Sequence, residues 1–183
     1  PQSLHIAIIG GGAAGFFAAI EAKRNFPDAD ITIFEKNSKV LAKVEITGGG
    51  RCNLTNSFEE ISDLKQAYPR GHKLMKRLFK RFDYQHAFNW FEENGVPLVT
   101  QEDQCVFPQS QDSHSIIDCL VNTAKRLGVK IQCNHQLTAI TELEDERLLL
   151  DFKTSSEIRQ IAFHRVAITT GGHSKMESFK HLS

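Results

Sequence analysis

A chain of 183 residues, 40% apolar and 24% charged, is long enough to bury one ordinary core and has the make-up of a globular domain. Its 22 basic and 22 acidic residues cancel, so overall charge points to neither a nucleic-acid nor a membrane partner, and no apolar run is long enough for a bilayer-spanning helix. The four cysteines (Cys52, Cys105, Cys119, Cys133) and the eight histidines show no zinc-ligand spacing, which offers no metal candidate and suits the reduced thiols of a cytoplasmic protein.

The first element is a strand. His5-Ile6-Ala7-Ile8-Ile9 is a short continuous apolar run ending in glycines, the pattern of a strand buried on both faces of a parallel sheet. Because Leu4–Ile9 already reads as structure, no targeting segment is expected ahead of it. From Ala13 to Asn25 the spacing turns helical, with alanines where a helix lies close to a sheet, and Pro27-Asp28 ends it. Ile31 to Phe34 is a second buried strand, closed by Glu35. These 35 residues make one βαβ unit, whose right-handed crossover sets the two strands side by side.

Residues 37–56 lack clear periodicity; a helical turn near Val40 and an ordered loop around Gly48-Gly49-Gly50 are expected there. Leu74, Met75, Leu78, Phe79 and Phe82 share one helical face, and a second helix runs from Asp83 to Asn94, stopped at Gly95. Leu98–Thr100 and Cys105–Phe107 suggest a hairpin. Ile116, Leu120, Ala124 and Leu127 mark another helix closed by Gly128, and Val129–Cys133 reads as a third core strand. Three further runs, 137–143, 147–152 and 158–163, are joined by turn-rich segments as in a β-meander, after which Val166–Ile168 returns to the sheet. The fold class is therefore α/β, a Rossmann-like parallel sheet with helices and a meander crossover, read as one domain over residues 1–183.

The chemical signal is Gly10-x-Gly12-x-x-Gly15 between a strand and a helix. The first glycine permits the tight turn, the second lets the backbone approach a diphosphate, and the third allows close packing of helix on strand. The amides of Ala13, Ala14 and their neighbours, at the positive end of the helix dipole, then face the phosphates. Glu35 closes the next strand 20 residues after Gly15, where a carboxylate accepts from ribose hydroxyls and repels a ribose phosphate; Lys36 follows it. This pattern alone does not separate FAD from NAD.

The element order does so in part. A third strand, a meander and a return strand ending in Thr170-Gly171-Gly172 resembles the FAD domain of the glutathione-reductase superfamily. That resemblance implies that the final glycines pass near the cofactor and that Leu137 lies by the adenine. A second string, Lys43-Val44-Glu45-Ile46-Thr47-Gly48-Gly49-Gly50-Arg51-Cys52-Asn53-Leu54-Thr55-Asn56, is similar to bacterial NAD(P)/FAD-dependent oxidoreductases of the aminoacetone oxidase and bile-acid dehydro-reductase type. Val106-Phe107-Pro108-x-Ser110 fits the same family. The resemblance implies FAD as cofactor, oxidoreductase activity, and a chain that corresponds to the N-terminal part of a longer pattern, without its substrate domain and C-terminal return segment. NAD(P)H as electron donor and a small-molecule substrate would belong to that longer protein.

Physically, three glycines expose amides that can wrap a phosphate or a flavin edge, and Arg51 offers a planar fork to a pyrophosphate or a flavin carbonyl. Asn53, Thr55 and Asn56 can hydrogen-bond a ring edge or hold the loop's own backbone, and Thr47 is a cofactor-binding candidate in the same loop; a plain surface turn is the alternative. Lys43 either approaches the phosphates or is solvated, and a structural role for Cys52 is favoured over a redox one. The cations Arg70, Lys73, Lys76, Arg77, Lys80 and Arg81 read as a solvated helix face, so nucleic acid is not an expected partner. No residue is singled out as catalytic. A regulatory nucleotide-binding module without turnover and an NAD-dependent dehydrogenase stand as alternatives.

Overall fold

The computed structural model describes residues 3–172. In chain order the elements are β1 (His5–Ile9), α1 (Ala13–Asn25), β2 (Asp30–Phe34), α2 (Ala42–Ile46), a 3-10 turn (Thr47–Gly50), β3 (Thr55–Asn56), α3 (Leu64–Ala67), α4 (His72–Leu78) and α5 (Tyr84–Glu93). There follow β4 (Leu98–Thr100), β5 (Cys105–Pro108), α6 (His114–Arg126), β6 (Lys130–Gln132), β7 (Gln136–Glu142), β8 (Leu148–Lys153), β9 (Ile158–Phe163) and β10 (Arg165–Ile168). The chain divides into two compact units, Pro1–Ala42 with Leu120–Ser183, and Lys43–Cys119.

The first unit is built on a parallel sheet of order β10-β1-β2-β6. β1 and β2 lie at its centre, and every residue of each after the first is buried, as their unbroken apolar runs require. Strand alternation turns Ala7 and Ile9 to one face and Ile6 and Ile8 to the other. On the Ala7 face, the antiparallel β7-β8-β9 meander buries Leu137, Leu150, Phe152 and Phe163 together with Phe34. Phe34 stacks on Phe152 at 4.2 Å between ring centroids and meets Phe163 edge-on at 5.7 Å. Such pairs add about 1 kcal/mol each beyond the area they bury. Helix α1 buries Gly15, Phe16, Ala19 and Ile20, a stripe at helical spacing. Full burial of Phe16 and Ile20 is worth roughly 2–3 kcal/mol apiece.

In the second unit β3, β5 and β4 form a small antiparallel sheet. Helix α5 opens with a capping box: the Asp83 carboxylate accepts from the His86 amide while the Asp83 amide donates to His86 Nδ1.

Several elements depart from the sequence reading. Strand β6 has three residues and is at most half-buried, because among the described residues it lies at the sheet edge with no strand on its outer side. The helical turn expected near Val40 begins at Ala42 instead. Thr55–Asn56 pairs with Val106 and Cys105, a two-residue strand too short to show a period. The apolar face from Leu74 to Phe82 is only partly used: Met75 and Phe79 are half-buried, whereas Leu74, Leu78 and Phe82 are exposed. Among the described residues no helix is long and apolar enough to cross a membrane.

Candidate dinucleotide-binding site

The Gly10 turn is held by its surroundings as much as by its own residues. The Gly10 amide donates to the Phe34 carbonyl at 2.8 Å, and Gly10 sits at φ +114. A Cβ there would meet the Thr169 carbonyl oxygen at 2.6 Å, so only glycine fits. Thr169, just past β10, donates its amide to Ile9 O and places its hydroxyl 2.9 Å from Ile9 O and 3.1 Å from Gly10 O. The residue following β10 thus ties the turn to that strand.

Gly12 is the opposite case. It precedes α1 with φ −90 and ψ −175, offers no side-chain cap, and a Cβ added to it would meet nothing within 4 Å. Ala13 and Ala14 are exposed, no acidic side chain occupies the first turn, and Phe16 makes the first intrahelical bond, to Gly12 O at 3.0 Å. The result is an open helix N-terminus with unspent amides and partial positive charge. A diphosphate fits this cradle.

Glu35 faces the turn from the end of β2. Its Oε2 accepts from the Gly11 amide at 2.9 Å and its Oε1 from the Asn37 amide at 2.9 Å. An ionised carboxylate accepts about four hydrogen bonds, so positions remain for two ribose hydroxyls while the backbone bonds fix its orientation. The chain beside it is pinned too: His135 donates its amide to Glu35 O, and Asn134 to Asn37 O. Gly11, an unspecified position in the sequence pattern, has a role that pattern does not encode. A Cβ on it would lie 2.8 Å from Val40 Cγ1 and 3.1 Å from Glu35 Cβ, and its carbonyl accepts from the Leu41 amide. The run of three glycines was the only sign of this in the sequence.

The remaining sequence candidates of this unit fall as follows. Lys36 is exposed next to Glu35. Leu137 is buried in the meander core, so its side chain is spent on packing and only its backbone could meet a ligand. Thr170 is half-buried, and Gly171, at φ +74, and Gly172 are exposed.

In the second unit, Gly48, Gly49 and Gly50 all take positive φ, at 59, 67 and 85. The Cys52 amide closes the loop on Thr47 O at 3.0 Å, and the Ser113 amide and hydroxyl hold Gly50 O and Glu45 O. Arg51 is occupied in this framework: Nε donates to Gly48 O, a terminal nitrogen donates to Gln111 Oε1 at 3.2 Å, and the guanidinium lies 4.2 Å from the Phe107 ring centroid. Its fork therefore braces the glycine loop. Lys43 and Asn53 are exposed, and Thr47 is half-buried.

Cys52 is buried, at φ +62, and burial pushes its thiol up to about 11. A thiol so protonated at neutral pH is a poor nucleophile, which favours the structural role. Alkylation with iodoacetamide at pH 8, followed by peptide mass spectrometry, should label Cys52 last of the four cysteines; labelling ahead of Cys105, Cys119 and Cys133 would contradict this.

Comparison with known proteins agrees with the geometry. Residues 4–178 match the HI0933-like protein Rossmann domain. Over 135 residues the chain is 32% identical to a 3-dehydro-bile acid delta(4,6)-reductase of Clostridium scindens, a match covering 74% of this chain and 32% of that protein. It is 24% identical over 168 residues to a ribosomal RNA dihydrouridine synthase of Haemophilus influenzae, covering 91% of this chain and 40% of the relative. Among solved structures, a 3-ketosteroid-delta4-(5alpha)-dehydrogenase of Rhodococcus jostii superposes with a TM-score of 0.68 at 17% identity, over 93% of this chain and 47% of that one, a likeness of fold. The chain spans about a third to two fifths of the length of the curated relatives it matches. The chain belongs to the HI0933-like family, whose Rossmann domain it matches over residues 4–178.

Proposed function

We propose that this domain holds FAD for an oxidoreductase that reduces a carbon–carbon double bond conjugated with a carbonyl group. The observation that carries the cofactor half is the pairing of an unobstructed Gly12 with a Glu35 carboxylate fixed across the turn. The amides from Gly12 to Ala14 take the pyrophosphate, and Glu35 takes the ribose hydroxyls. Lys36, Leu137 through its backbone, and the Thr170-Gly171-Gly172 segment are assigned to the same ligand from their place in the chain. The amides of Thr47 to Asn53 are assigned to it from the family resemblance, with Arg51 as brace and Lys43 as a further phosphate candidate. When bound, FAD supplies the hydride chemistry that no side chain can perform.

The reaction half is supported by the names of the curated relatives. Reducing a delta(4,6) 3-dehydro-bile acid and converting uridine to dihydrouridine are both hydrogenations of a ring double bond conjugated with a carbonyl. An NAD(P)H donor and a small enone substrate fit this reading. The test is anaerobic reoxidation of the reduced full-length gene product, followed at the flavin absorbance band. A Δ4-3-ketosteroid or uridine should accelerate reoxidation over a saturated ketone; equal rates with all three would overturn the reading.

Replacing Glu35 with alanine removes both backbone acceptor bonds and the proposed ribose contact. Charge-assisted hydrogen bonds are worth about 1.5–3 kcal/mol each, so FAD affinity should fall on the order of 10- to 100-fold. Fluorescence titration of FAD measures this, and an unchanged dissociation constant would remove Glu35 from the site.

A further inference from the structure

From Leu64 to Phe82 the chain carries seven cations and no carboxylate, although the whole chain is neutral. Arg70, Lys73, Lys76, Arg77, Lys80 and Arg81 are all exposed, and none makes a salt bridge among the described residues. Arg70 lies in the turn before helix α4, the helix carries Lys73, Lys76 and Arg77, and the turn after it carries Lys80 and Arg81, held by the bonds of the Phe79 amide to Met75 O and the Phe82 amide to Leu78 O. The inward side rests on aromatic packing: Phe79 meets Phe58 at 5.4 Å and Tyr68 at 6.1 Å. Helical spacing places Arg77, with Arg81 near it, opposite Met75 and Phe79, at the outermost line of the helix, while Arg70 stands ahead of the helix on the far side of the left-handed Gly71. Leu74, Leu78 and Phe82, 51%, 47% and 41% exposed, run along one flank.

We infer that this face docks a single-stranded nucleic acid, its phosphates on Arg70, Lys73, Arg77 and Arg81 and a base against the exposed Phe82 ring. Like-charged side chains crowded without a counter-charge repel one another, and a polyphosphate strand relieves that repulsion along the whole line. An arrangement suited to a lipid surface would put the apolar residues outermost and the cations on the flanks. Here the order is reversed. The neutral overall charge, which argued against such a partner, averages over surfaces of opposite sign; a strand senses the local field within about 10 Å. RNA and DNA share the phosphates and stackable bases this face recognises.

The test is fluorescence anisotropy with a labelled 20-nucleotide RNA, with DNA of the same sequence, and with sedimentation of phosphatidylglycerol vesicles as a third arm. Four phosphate contacts should give a slope of log affinity against log salt of about −3. The K73E/R77E/R81E variant should weaken binding at least about tenfold, and the charge-removing K73Q/R77Q/R81Q variant by a smaller factor in the same direction. The preferred strand, RNA or DNA, identifies the source. No strand binding, binding unchanged in both variants, or capture by vesicles alone would overturn the inference. Flavin retention and turnover play no part in this readout, so its failure is distinct from a failure of the proposed reaction.

Discussion

Replacing Gly12 with aspartate should leave the domain as stable as the parent and abolish FAD retention. At φ −90 and ψ −175 the position suits any residue, and an added side chain meets nothing within 4 Å. Aspartate is a favoured residue ahead of a helix, where its carboxylate accepts from the amides of the first turn, so the fold should gain a few tenths of a kcal/mol. Those amides are the ones a diphosphate needs, and the new charge repels it. Affinity should drop by on the order of 100-fold or more, about 2.7 kcal/mol. A thermal melt beside a flavin titration separates the two effects. Unaltered FAD affinity in a folded variant would place the phosphates elsewhere.

Gly15→Ala should do the reverse, damaging the fold before the site. Alanine is the better helix former by about 1 kcal/mol, so propensity alone favours the change. Packing opposes it and wins. The new methyl group would overlap the Gly10 carbonyl oxygen and lie 2.9 Å from Thr169 Oγ1, and neither neighbour can retreat, since Gly10 is tied to Phe34 and Thr169 to Ile9. Overpacking against backbone costs about 3 kcal/mol or more. For a chain of this size that lowers the melting temperature by roughly 6–12 °C. Calorimetry measures it, and a melting point equal to the parent's would show that helix and strand are not in the contact described.

These two glycines illustrate how much was legible beforehand. The β1–α1–β2 unit was readable residue by residue because a doubly buried strand, a glycine turn and an alanine-rich helix each carry a distinct pattern. The meander and the return strand were equally plain, since turn residues separate runs of strand length. The site's framework was harder to read. Gly11 is an unspecified position of the glycine pattern, yet its amide is bonded to Glu35 and a side chain on it would strike Val40. Thr169 belongs to no motif, yet its hydroxyl reaches Ile9 and Gly10 across 160 and 159 positions of sequence, a separation no local pattern can reveal. Arg51 reads as a ligand candidate because a guanidinium beside glycines suits phosphate, and the sequence does not show that Phe107 and Gln111, over fifty residues away, also engage it. Patterns of period two or 3.6 report burial along one element; they are silent on which distant residue supplies a hydrogen bond.

The most direct test is a crystal structure of this chain with FAD bound. The diphosphate is expected within hydrogen-bond distance of the amides from Gly12 to Ala14, with a ribose hydroxyl on the Glu35 carboxylate. A diphosphate bound at another element, or a ribose out of reach of Glu35, would contradict the assignment.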